Sequence, residues 1–364
     1  MPRSPHPPRR ATLASLAAEL KVSRTTISNA YNRPDQLSAE LRDRIFDAAK
    51  RLGYPGPDPV ARSLRTRKAG AVGLIITEPL NYSFSDPAAL DFVAGLAESC
   101  EAAGQGLLLV AIGPNRSFED GSAAVLSAGV DGFVVYSAAD DDPYLPIVLQ
   151  RHLPVVVVDQ PKDVPGASRI SIDDRGAMRR LAEHVLEFGH RDIGLLTMRL
   201  GRERTHTGPA VADPERVLTP HFHVQRERIQ GVYDAMTARG LDPAMLTVVE
   251  SYEHLPASGG LAADVALQAN PRITALMCTA DVLALSAMDH LRARGIYVPG
   301  QMTITGFDGV PEALRRGLTT AVQPSLEKGR RAGYLLHNPP RSGLPVIDVL
   351  DTEVVRGRTS GPPA

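Results

Sequence analysis

The stretch TLASLAAELKVSRTTISNAYNRPDQLSAELRDRIFDAAKRLGY, residues 12–54, decides the fold of the amino-terminal part of the chain. Its apolar residues recur at helical spacing in three short segments, as expected of helices with one buried face. Before each segment stands a hydroxyl residue that can accept a hydrogen bond from the first helical turn: Thr12, Ser23 and Ser38. Gly53 follows the last apolar residue and suits a helix end. The stretch therefore predicts a unit of three helices.

The second of these helices would present an outer face rich in hydrogen-bonding side chains. The residues of this face are Arg24, Thr25, Thr26, Ser28, Asn29 and Asn32. Arginine can grip the O6 and N7 atoms of guanine, asparagine can pair with adenine, and hydroxyls suit phosphates or base edges. Two short helices joined by a tight turn, with such a face on the second, are typical of a helix-turn-helix. A generic three-helix bundle with a polar surface fits the same pattern.

The net charge of −1 hides an uneven distribution along the chain. Residues 1–70 hold 14 Lys and Arg against 6 Asp and Glu, whereas the remaining residues hold 26 against 35. A basic head on an acidic body favours a head that binds a polyanion such as DNA. A basic tail without a partner would have the same charge.

A short linker follows the three predicted helices. The segment PGPDP, residues 55–59, cannot continue a helix because three of its five residues are proline and one is glycine. The next segment, VARSLR (60–65), can form a helix of fewer than two turns. So short a helix is marginal in isolation and needs a partner or DNA to persist.

The rest of the sequence alternates between short apolar runs and helical segments. The first runs are AVGLIIT (71–77), GLLLVAI (106–112), GFVVYS (132–137) and PVVVVD (154–159), and a second set begins with IGLLTM (193–198). Continuous apolar strands that alternate with helices predict a parallel sheet covered on both faces. Two such halves in tandem predict a cleft between two lobes, where ligands bind at the carboxyl ends of the strands.

Several protein classes are disfavoured by what the sequence lacks. No apolar run approaches the ~18 residues that span a bilayer, and the Pro/Arg-rich start has no apolar core of a signal peptide. The two cysteines, Cys100 and Cys278, form neither a disulfide framework nor a metal-binding pair. The sequence contains no nucleophile elbow, HExxH motif, P-loop or complete dinucleotide fingerprint. We therefore expect a cytoplasmic protein with no catalytic residues, metal or cofactor.

The order of several motifs closely resembles the LacI/GalR family of transcriptional regulators. The resemblance begins in residues 12–54 and ARSLR (61–65) and covers essentially all of residues 11–358. In the body it is carried by VVVVDQ (155–160), SIDDRGA (171–177), EHVLEFGHRDIGLL (183–196), RIQGVYDA (228–235), TADVLALSAMDHLRARGIYVP (279–299), ITGFD (304–308) and LTTAVQP (318–324). A headpiece, a hinge and a two-lobed body in one chain make the resemblance specific.

The resemblance implies a fold class and a domain organisation. The fold is a small all-α helix-turn-helix headpiece with a hinge helix, followed by an α/β periplasmic-binding-protein-like domain with two parallel-sheet, Rossmann-like lobes. We expect a disordered tail at 1–10, the headpiece at 11–57, the hinge helix and linker at 58–69, and the effector-binding and dimerisation domain at 70–364. Its first lobe would comprise about 70–190 and 320–338, and its second about 191–319 and 339–364.

The resemblance also implies DNA-contacting residues. Arg24, Thr25 and Asn29 match positions that read operator bases. The positions that typically hold backbone phosphates are Thr12, Ser23, Thr26, Ser28, Asn32 and Tyr54. Leu64 matches the hinge leucine that wedges into the central minor-groove step, Ala61 is its packing neighbour, and Arg62 and Arg65 flank it. The linker PGPDP is one residue longer than the common family form.

For the body, the resemblance implies a small-molecule site in the cleft. Arg228 and Asp308 match common ligand-contacting positions, and Asp159, Asp173, Asp281, Tyr82, Phe84 and Asp86 match further ones. An Asp at a helix start can instead be an N-cap, as at Asp281. A sugar, a nucleoside or purine, or another small metabolite fits, although the chain has no Trp for ring stacking. The basic loop 199–223 could reach over the cleft and favour an anionic effector, or it could be a solvated loop.

Taken together, these features predict an effector-controlled regulator, a repressor rather than an activator. It would bind near-palindromic double-stranded operator DNA as a homodimer in the cytoplasm, in association with the nucleoid. No leucine heptads follow the last predicted strand, 346–355, which favours a dimer over a coiled-coil tetramer. Two rivals remain: a solute-binding protein of the same body fold, and an enzyme built on α/β sheets.

Overall fold

The computed structural model describes residues 11–57, 66–78, 84–113, 116–203, 205–252 and 255–364. The chain divides into two compact units, Met1–Ala69 and Gly70–Ala364. Among the described residues, the first unit is entirely helical, and the second contains two mostly parallel sheets. The α/β architecture predicted from the alternating apolar runs is confirmed.

The amino-terminal unit contains the three predicted helices. They are α1 (Leu13–Leu20), α2 (Arg24–Asn32) and α3 (Ala39–Leu52). Each begins as predicted: the side chains of Thr12, Ser23 and Ser38 accept hydrogen bonds from the backbone N–H groups of Ser15, Thr26 and Leu41. The helices surround a small core whose fully buried members are Leu16, Ile27 and Ile45. Each of the three helices thus contributes buried residues to the core that holds the unit together.

The first lobe of the large unit is built on a six-stranded parallel sheet with the order β12-β5-β4-β3-β1-β2. Its elements are β1 (Ala71–Ile76), α4 (Pro87–Ala102), β2 (Gly106–Ala111), α5 (Phe118–Ser127), β3 (Gly132–Tyr136), α6 (Leu145–Gln150), β4 (Val155–Val158), β5 (Ser168–Ile172), α13 (Ser325–His337) and β12 (Ile347–Leu350). The central strands are buried on both faces, which explains their uninterrupted apolar sequences.

The second lobe contains a seven-stranded sheet with the order β13-β11-β10-β9-β6-β8-β7, in which only the two edge strands run antiparallel. Its elements are α7 (Asp174–Glu187), β6 (Ile193–Met198), β7 (Ala210–Val211), α8 (Pro214–Leu218), α9 (His223–Ala238), β8 (Thr247–Ser251), α10 (Ser258–Ala269), β9 (Ala275–Cys278), α11 (Asp281–Ala293), β10 (Thr303–Asp308), α12 (Pro311–Arg315), β11 (Thr319–Val322) and β13 (Glu353–Val355).

The boundaries between the lobes differ from those expected from the sequence. Helix α7 packs against α9 of the second lobe, so the first crossing lies near residue 173 rather than 190. Strand β11 pairs with β10 in the second sheet, whereas β12 pairs with β5 in the first. The expected assignment of 339–364 to the second lobe is therefore wrong for 347–350. These boundaries depend on pairing between strands that are far apart in the sequence, so a local sequence pattern cannot predict them.

Two glycines bring α4 and α13 of the first lobe close together. A Cβ atom on Gly95 would lie 1.9 Å from the carbonyl oxygen of Leu326, and one on Gly329 would lie 2.1 Å from that of Phe92. Neither distance is compatible with a real side-chain carbon. The helices can therefore pack at this separation only because both positions lack a side chain.

Candidate functional site

A cleft opens between the two lobes at the carboxyl ends of their strands. It holds about 810 Å³ of empty space, counted with the solvent at its mouth. The first lobe contributes Ile76, Tyr136 and Asp159 from the ends of β1, β3 and β4, and the second contributes Met198 and Asp308 from the ends of β6 and β10. This is the position at which doubly wound sheets bind small molecules.

Arg228 on α9 is a buried cation on the second lobe's side of the cleft. Its Nε donates to Asp174 Oδ1 at 2.8 Å, and its Nη1 donates to the carbonyl oxygen of Thr279. The guanidinium also lies 3.6 Å from the centre of the Phe307 ring, a cation–π contact in a desolvated place. Nη1 approaches Asp308 Oδ1 only to 3.9 Å. Because three groups fix the guanidinium, little side-chain entropy is lost when it binds a ligand.

Asp308 is linked to the first lobe through a chain of buried polar side chains. Gln323 Nε2 donates to Asp308 Oδ1 at 2.6 Å, and Gln323 Oε1 accepts from Lys328 Nζ. Lys328 Nζ also donates to Asp159 Oδ1 at 2.5 Å. A carboxylate from each lobe is thus joined through one amide and one ammonium group, so a ligand that displaces either carboxylate affects both lobes.

Asp159 and Asp308 both stand directly at strand ends with unusual backbone conformations. Their φ angles are 65° and 120°, in the region that side-chain-bearing residues rarely adopt. Such conformations cost free energy and concentrate at functional sites, where the surrounding structure holds them. Two of them on opposite lobes of one cleft mark it as the functional part of the domain.

The buried carboxyl groups around Arg228 do not all ionise easily. Burial raises the pKa of Asp308 well above its usual range, an effect that the nearby Asp281 strengthens and Arg228 opposes. Burial likewise raises the pKa of Asp174 against the opposing effect of Arg228, and raises that of Asp281 to about 7. With a pKa of about 7, Asp281 can hold a proton near neutral pH and donate a hydrogen bond as well as accept one.

The sequence-predicted effector residues divide into those that line the cleft and those that do not. Four of them line it: Asp86, Asp159, Arg228 and Asp308. Asp173 is instead the N-cap of α7, accepting from Gly176 N at 2.9 Å. Phe84 is 49% exposed and is not part of the lining. Tyr82 lies outside the described residues.

Asp281 likewise does not line the cleft; its carboxyl group is part of the buried structure behind it. It is fully buried, and its carboxyl group accepts from the Thr320 hydroxyl at 2.6 Å and from Val310 N at 2.8 Å. Its own backbone N–H donates to Asp308 Oδ2 at 3.3 Å. Asp281 therefore supports Asp308 from behind. The position after a strand suggested a ligand contact, whereas the packing of β11 on β10 encloses its side chain.

Several lining residues were not predicted from the sequence. They are Glu78, Tyr136, Ser137, Gln160, Gln225 and Gln323; Arg199 and Phe222 belong to the segment 199–223, for which a position over the cleft was one of two alternatives. Arg199 forms a buried ion pair with Glu78 of the opposite lobe, and its guanidinium lies 4.9 Å from the centre of the Phe222 ring. Glu78 lies just beyond the end of β1 and Arg199 just beyond the end of β6. These positions at strand ends could have identified both residues as candidates for the cleft.

The segment 199–223 is not a fully solvated loop. Leu200 is completely buried, and Arg199 and Phe222 are nearly so. The segment also includes the short elements β7 and α8. Glu250, itself buried, holds it by accepting hydrogen bonds from Leu200 N and from the Arg216 guanidinium, both at 2.8 Å to Oε1. Arg199 and Phe222, at the two ends of the segment, thus line the cleft, whereas many of the residues between them are exposed.

In the helical unit, the polar face of α2 contains both free and engaged side chains. Arg24 and Thr25 are exposed, and neither side chain has a hydrogen-bonding partner among the described residues. The Asn32 amide, by contrast, donates to Ser28 O at 2.8 Å, and Asn29 donates to Gln36 Oε1 at 3.2 Å. The face is therefore partly pre-ordered by its own hydrogen bonds.

Four other predicted DNA-contacting residues, Thr12, Ser23, Thr26 and Tyr54, take part in local structure. Thr12 and Ser23 cap α1 and α2, and the Ser23 hydroxyl also lies 2.8 Å from that of Thr26. The Tyr54 ring packs edge-on against Tyr31 at a centroid distance of 6.1 Å. Ala61, Arg62 and Leu64 lie outside the described residues, as does Arg65.

No described helix is long and apolar enough to cross a membrane. Nor do His, Cys, Asp and Glu side chains in these parts of the chain form a group of three that could hold a metal ion.

Two family profiles match the large unit. The one described as the periplasmic binding proteins and sugar binding domain of the LacI family matches residues 69–213, and the periplasmic binding protein-like domain matches 182–360. Among solved structures, a LacI-family transcriptional regulator from Corynebacterium glutamicum has a TM-score of 0.74 at 36% identity and covers 96% of this chain and 99% of its own.

Two further structures resemble the chain over most of its length. The regulator CelR in complex with cellobiose has a TM-score of 0.66 at 26% identity, covering 96% of this chain and 100% of the other. The lac repressor dimer bound to operator and an anti-inducer has a TM-score of 0.77 at 22% identity, covering 97% and 100%. The second likeness is evidence of fold alone.

Curated relatives extend the match to the whole sequence. An HTH-type transcriptional regulator of Mycolicibacterium smegmatis is 86% identical over 366 aligned residues, which cover 100% of both chains. The HTH-type transcriptional regulator IpsA of Corynebacterium glutamicum is 43% identical over 327 residues, covering 89% of this chain and 90% of the relative. The helix-turn-helix, the two lobes and these identities together establish that the chain belongs to the LacI family of transcriptional regulators.

Proposed function

We propose that this regulator is a repressor that binds a near-palindromic operator as a homodimer and is controlled by a small metabolite in the interlobe cleft. The observation that carries the proposal is the pair Arg228 and Asp308, buried at the carboxyl ends of the second lobe's strands and linked through Gln323 and Lys328 to Asp159 of the first. A site connected to both lobes can convert occupancy into a change of lobe orientation.

The effector we infer is a small hydroxylated metabolite, such as a sugar or nucleoside. The lining alternates charged and amide groups, which can accept and donate hydrogen bonds to hydroxyls, with the aromatic residues Tyr136 and Phe222. Buried carboxyl groups with raised pKa values suit hydroxyl recognition because they present both donors and acceptors. The cellobiose bound in the related CelR structure supports the same class.

For DNA, we propose direct base contacts by Arg24, Thr25 and Asn29. Arg24 and Thr25 are exposed on α2. The Asn29 amide donates a hydrogen bond to Gln36, and a base of the DNA can take the place of Gln36 as its acceptor. Thr12, Ser23, Thr26, Ser28, Asn32 and Tyr54 would contact phosphates. Leu64, with Ala61 and Arg62 beside it, would wedge the central minor-groove step. A protein with these contacts acts in the cytoplasm, where the nucleoid lies, and needs no catalytic activity.

The proposal is tested with the full-length protein in two steps. Thermal-shift measurements with a panel of sugars, polyols and nucleosides identify a ligand that stabilises the protein by mass action. Mobility shifts on DNA selected from the source genome then show whether that ligand changes operator affinity. We expect Asp308→Asn, which keeps the side-chain shape, to weaken ligand binding at least about tenfold while ligand-free DNA binding persists.

The outcomes separate the rivals. Ligand binding without any specific DNA binding would support a solute-binding protein, and conversion of the ligand to product would support an enzyme. For the hinge, Leu64→Ala should weaken operator binding far more than binding to random DNA. Equal losses on both DNAs would contradict the wedge.

A further inference from the structure

A second chamber adjoins the effector cleft and is not explained by the proposed function. It holds about 490 Å³ of empty space, counted with open solvent, near the ends of β1, β2 and β3. Arg199 and Phe222 line both the cleft and this chamber, so they form the partition between them. The chamber's other polar lining residues are Thr77, Arg116, Asp142, Tyr144 and Arg202.

Two buried polar atoms of this lining lack hydrogen-bond partners among the described residues. They are Oγ1 of Thr77, which is 8% exposed, and Nε of Arg199, which is 6% exposed. A buried donor without a partner costs free energy, so native proteins rarely leave one unpaired unless it serves a purpose. Thr77 Oγ1 and Arg199 Nε line the same chamber, so both atoms are available to a polar group that enters it.

The charge of the chamber indicates what that group is. Three guanidinium groups line it: the buried Arg199 and the exposed Arg116 and Arg202. Arg116 Nη1 donates to the Ala111 carbonyl oxygen at 2.8 Å, and Arg202 Nη1 donates to the Asp141 carbonyl oxygen at 3.2 Å. Each of these bonds uses one of the five donors of a guanidinium, which leaves planar forks suited to a phosphate or carboxylate.

Acidic groups near the chamber are already engaged. Glu78 forms an ion pair with Arg199 across the lobes. Asp142, the carboxyl group in the lining, accepts at Oδ1 from Tyr144 N at 2.9 Å and from Leu145 N at 3.2 Å. Burial raises the pKa of Asp142, and the hydrogen bond from Tyr144 N opposes this effect. Asp141 lies 3.9 Å from Arg202 and also accepts from His221.

We propose that this chamber is an anion-binding subsite for a phosphate or carboxylate group of a small metabolite. The anion would accept hydrogen bonds from the Thr77 hydroxyl and from the guanidinium groups of Arg116, Arg199 and Arg202. It is either a free anion or the charged substituent of a ligand whose uncharged part occupies the adjoining cleft. Arg199 lies between the two spaces, so the occupant of one influences the other through the Arg199–Glu78 pair that joins the lobes.

Isothermal titration calorimetry on the full-length protein tests the subsite with three probes: inorganic phosphate, glucose 6-phosphate and glucose. The test variants are Thr77→Val, which removes the unpartnered hydroxyl at nearly constant shape, Arg116→Gln and Arg202→Gln. The matched control is Arg294→Gln, since Arg294 is an exposed arginine of the second lobe that pairs with Asp264. A further control, Arg24→Gln, detects phosphate held by the basic headpiece instead.

We expect each test variant to weaken phosphate binding by about ten- to a hundredfold, because each removes a hydrogen bond to a charged group. Both controls should bind phosphate as the unchanged protein does. Tighter binding of glucose 6-phosphate than of both phosphate and glucose would identify a substituent of a cleft ligand, and equal binding of the two phosphates would identify a free anion. No phosphate binding, or binding that Thr77→Val, Arg116→Gln and Arg202→Gln leave unchanged, would overturn the proposal.

The subsite and the proposed cleft function fail separately. Asp308→Asn changes the cleft but not the chamber, so phosphate binding should survive it. Phosphate binding without any effect of small metabolites on DNA binding would leave the subsite standing and reject the proposed control. If a neutral effector acts through the cleft and the protein binds no anion, the proposed control stands and the subsite is rejected.

Discussion

Gln160 of the first lobe accepts a hydrogen bond from the backbone N–H of Val224 in the second lobe, at 2.7 Å. Val224 lies in the first turn of α9, where backbone N–H groups have no partner within the helix. The Gln160 side chain is buried, and its Nε2 lies 3.1 Å from the Ser137 hydroxyl. The amide thus joins the end of β4 to the start of the helix that carries Gln225 and Arg228, across the cleft that all three residues line.

Replacing Gln160 should therefore weaken the closed arrangement of the lobes. We expect Gln160→Leu to reduce effector affinity about tenfold, because a buried backbone N–H loses its acceptor and the closed cleft loses a bond between the lobes. Small-angle scattering should show a more open domain without ligand. Gln230→Leu is the matched control, since Gln230 lies on the same helix and its side chain donates to Asp234 of that helix, its one hydrogen-bond partner among the described residues. Equal effects of the two substitutions would contradict an interlobe role.

Asp281 offers a test of a carboxyl group that supports the site without lining it. Its pKa is raised to about 7, so the folded protein keeps it protonated at a pH at which the unfolded chain releases the proton. This difference stabilises the fold at pH values below 7 relative to those above, because ionising the buried group carries a cost. We expect Asp281→Asn to remove that part of the pH dependence and to leave effector affinity within about twofold.

Asp281→Ala should behave differently from Asp281→Asn. Alanine leaves Val310 N and the Thr320 hydroxyl without an acceptor, and we expect a loss of about 2–4 kcal/mol of unfolding free energy. Urea denaturation at pH 6 and pH 8 distinguishes the variants. A loss of effector binding in Asp281→Asn at unchanged stability would instead assign Asp281 to the ligand site.

His190 should make the second lobe sensitive to acid. Its Nδ1 lies 2.8 Å from the Thr274 hydroxyl and its Nε2 lies 2.8 Å from the Gly361 carbonyl oxygen, while burial lowers its pKa below 6.5. Below pH 6.5 the unfolded chain gains a proton that the folded protein does not, so stability is lost as the pH falls, by at most about 1.4 kcal/mol per pH unit.

The measurement compares the melting temperature of the protein and of His190→Gln between pH 7.5 and 5. Glutamine can still donate to Gly361 O but cannot gain a proton, so the variant should be less stable at pH 7.5 and should lose less stability on acidification. His184 and His223 also have lowered pKa values for reasons of burial, and their contribution remains in both proteins. Parallel pH profiles would exclude His190 as a source of the acid sensitivity.

Gly95 should be intolerant of even the smallest side chain. In Gly95→Ala, the new methyl group would meet the Leu326 carbonyl oxygen and force α4 and α13 apart. We expect a cost of about 2–3 kcal/mol and a fall in melting temperature of about 5–10 °C. Gly129→Ala is the control, because nothing lies within 4 Å of a Cβ atom at that position. Similar melting temperatures for both variants would show that the helices separate at little cost.

In the headpiece, we expect one residue of α2 to matter for DNA recognition and another to matter for stability. Arg24→Ala removes an exposed side chain without a partner among the described residues, so stability should change by less than about 0.5 kcal/mol while specific DNA binding falls at least about tenfold. Asn32→Ala removes hydrogen bonds to Ser28 and should destabilise the headpiece by about 1 kcal/mol. Thermal denaturation followed by circular dichroism, together with mobility shifts, measures both. Unchanged operator affinity in Arg24→Ala would contradict the assigned base contact.

The sequence alone determined the features that depend on neighbours along the chain. The three headpiece helices and their caps at Thr12, Ser23 and Ser38 follow from local hydrogen bonds and helical periodicity. The buried strands follow from uninterrupted apolar runs such as PVVVVD. Asp86, Asp159, Arg228 and Asp308 could be assigned to the cleft because the carboxyl ends of parallel strands converge, and because the family resemblance marks those positions.

Only the tertiary structure decided what depends on partners distant in the sequence. It placed β12 in the first sheet and α7 in the second lobe, and it enclosed Asp281 behind Asp308 instead of in the lining. It also paired Arg199 with Glu78, 121 residues away, and set Thr77 and Arg199 around a second chamber. The packing of the lobes determines which side chains are buried and which polar groups of separate elements pair. A local pattern of residues cannot predict that packing.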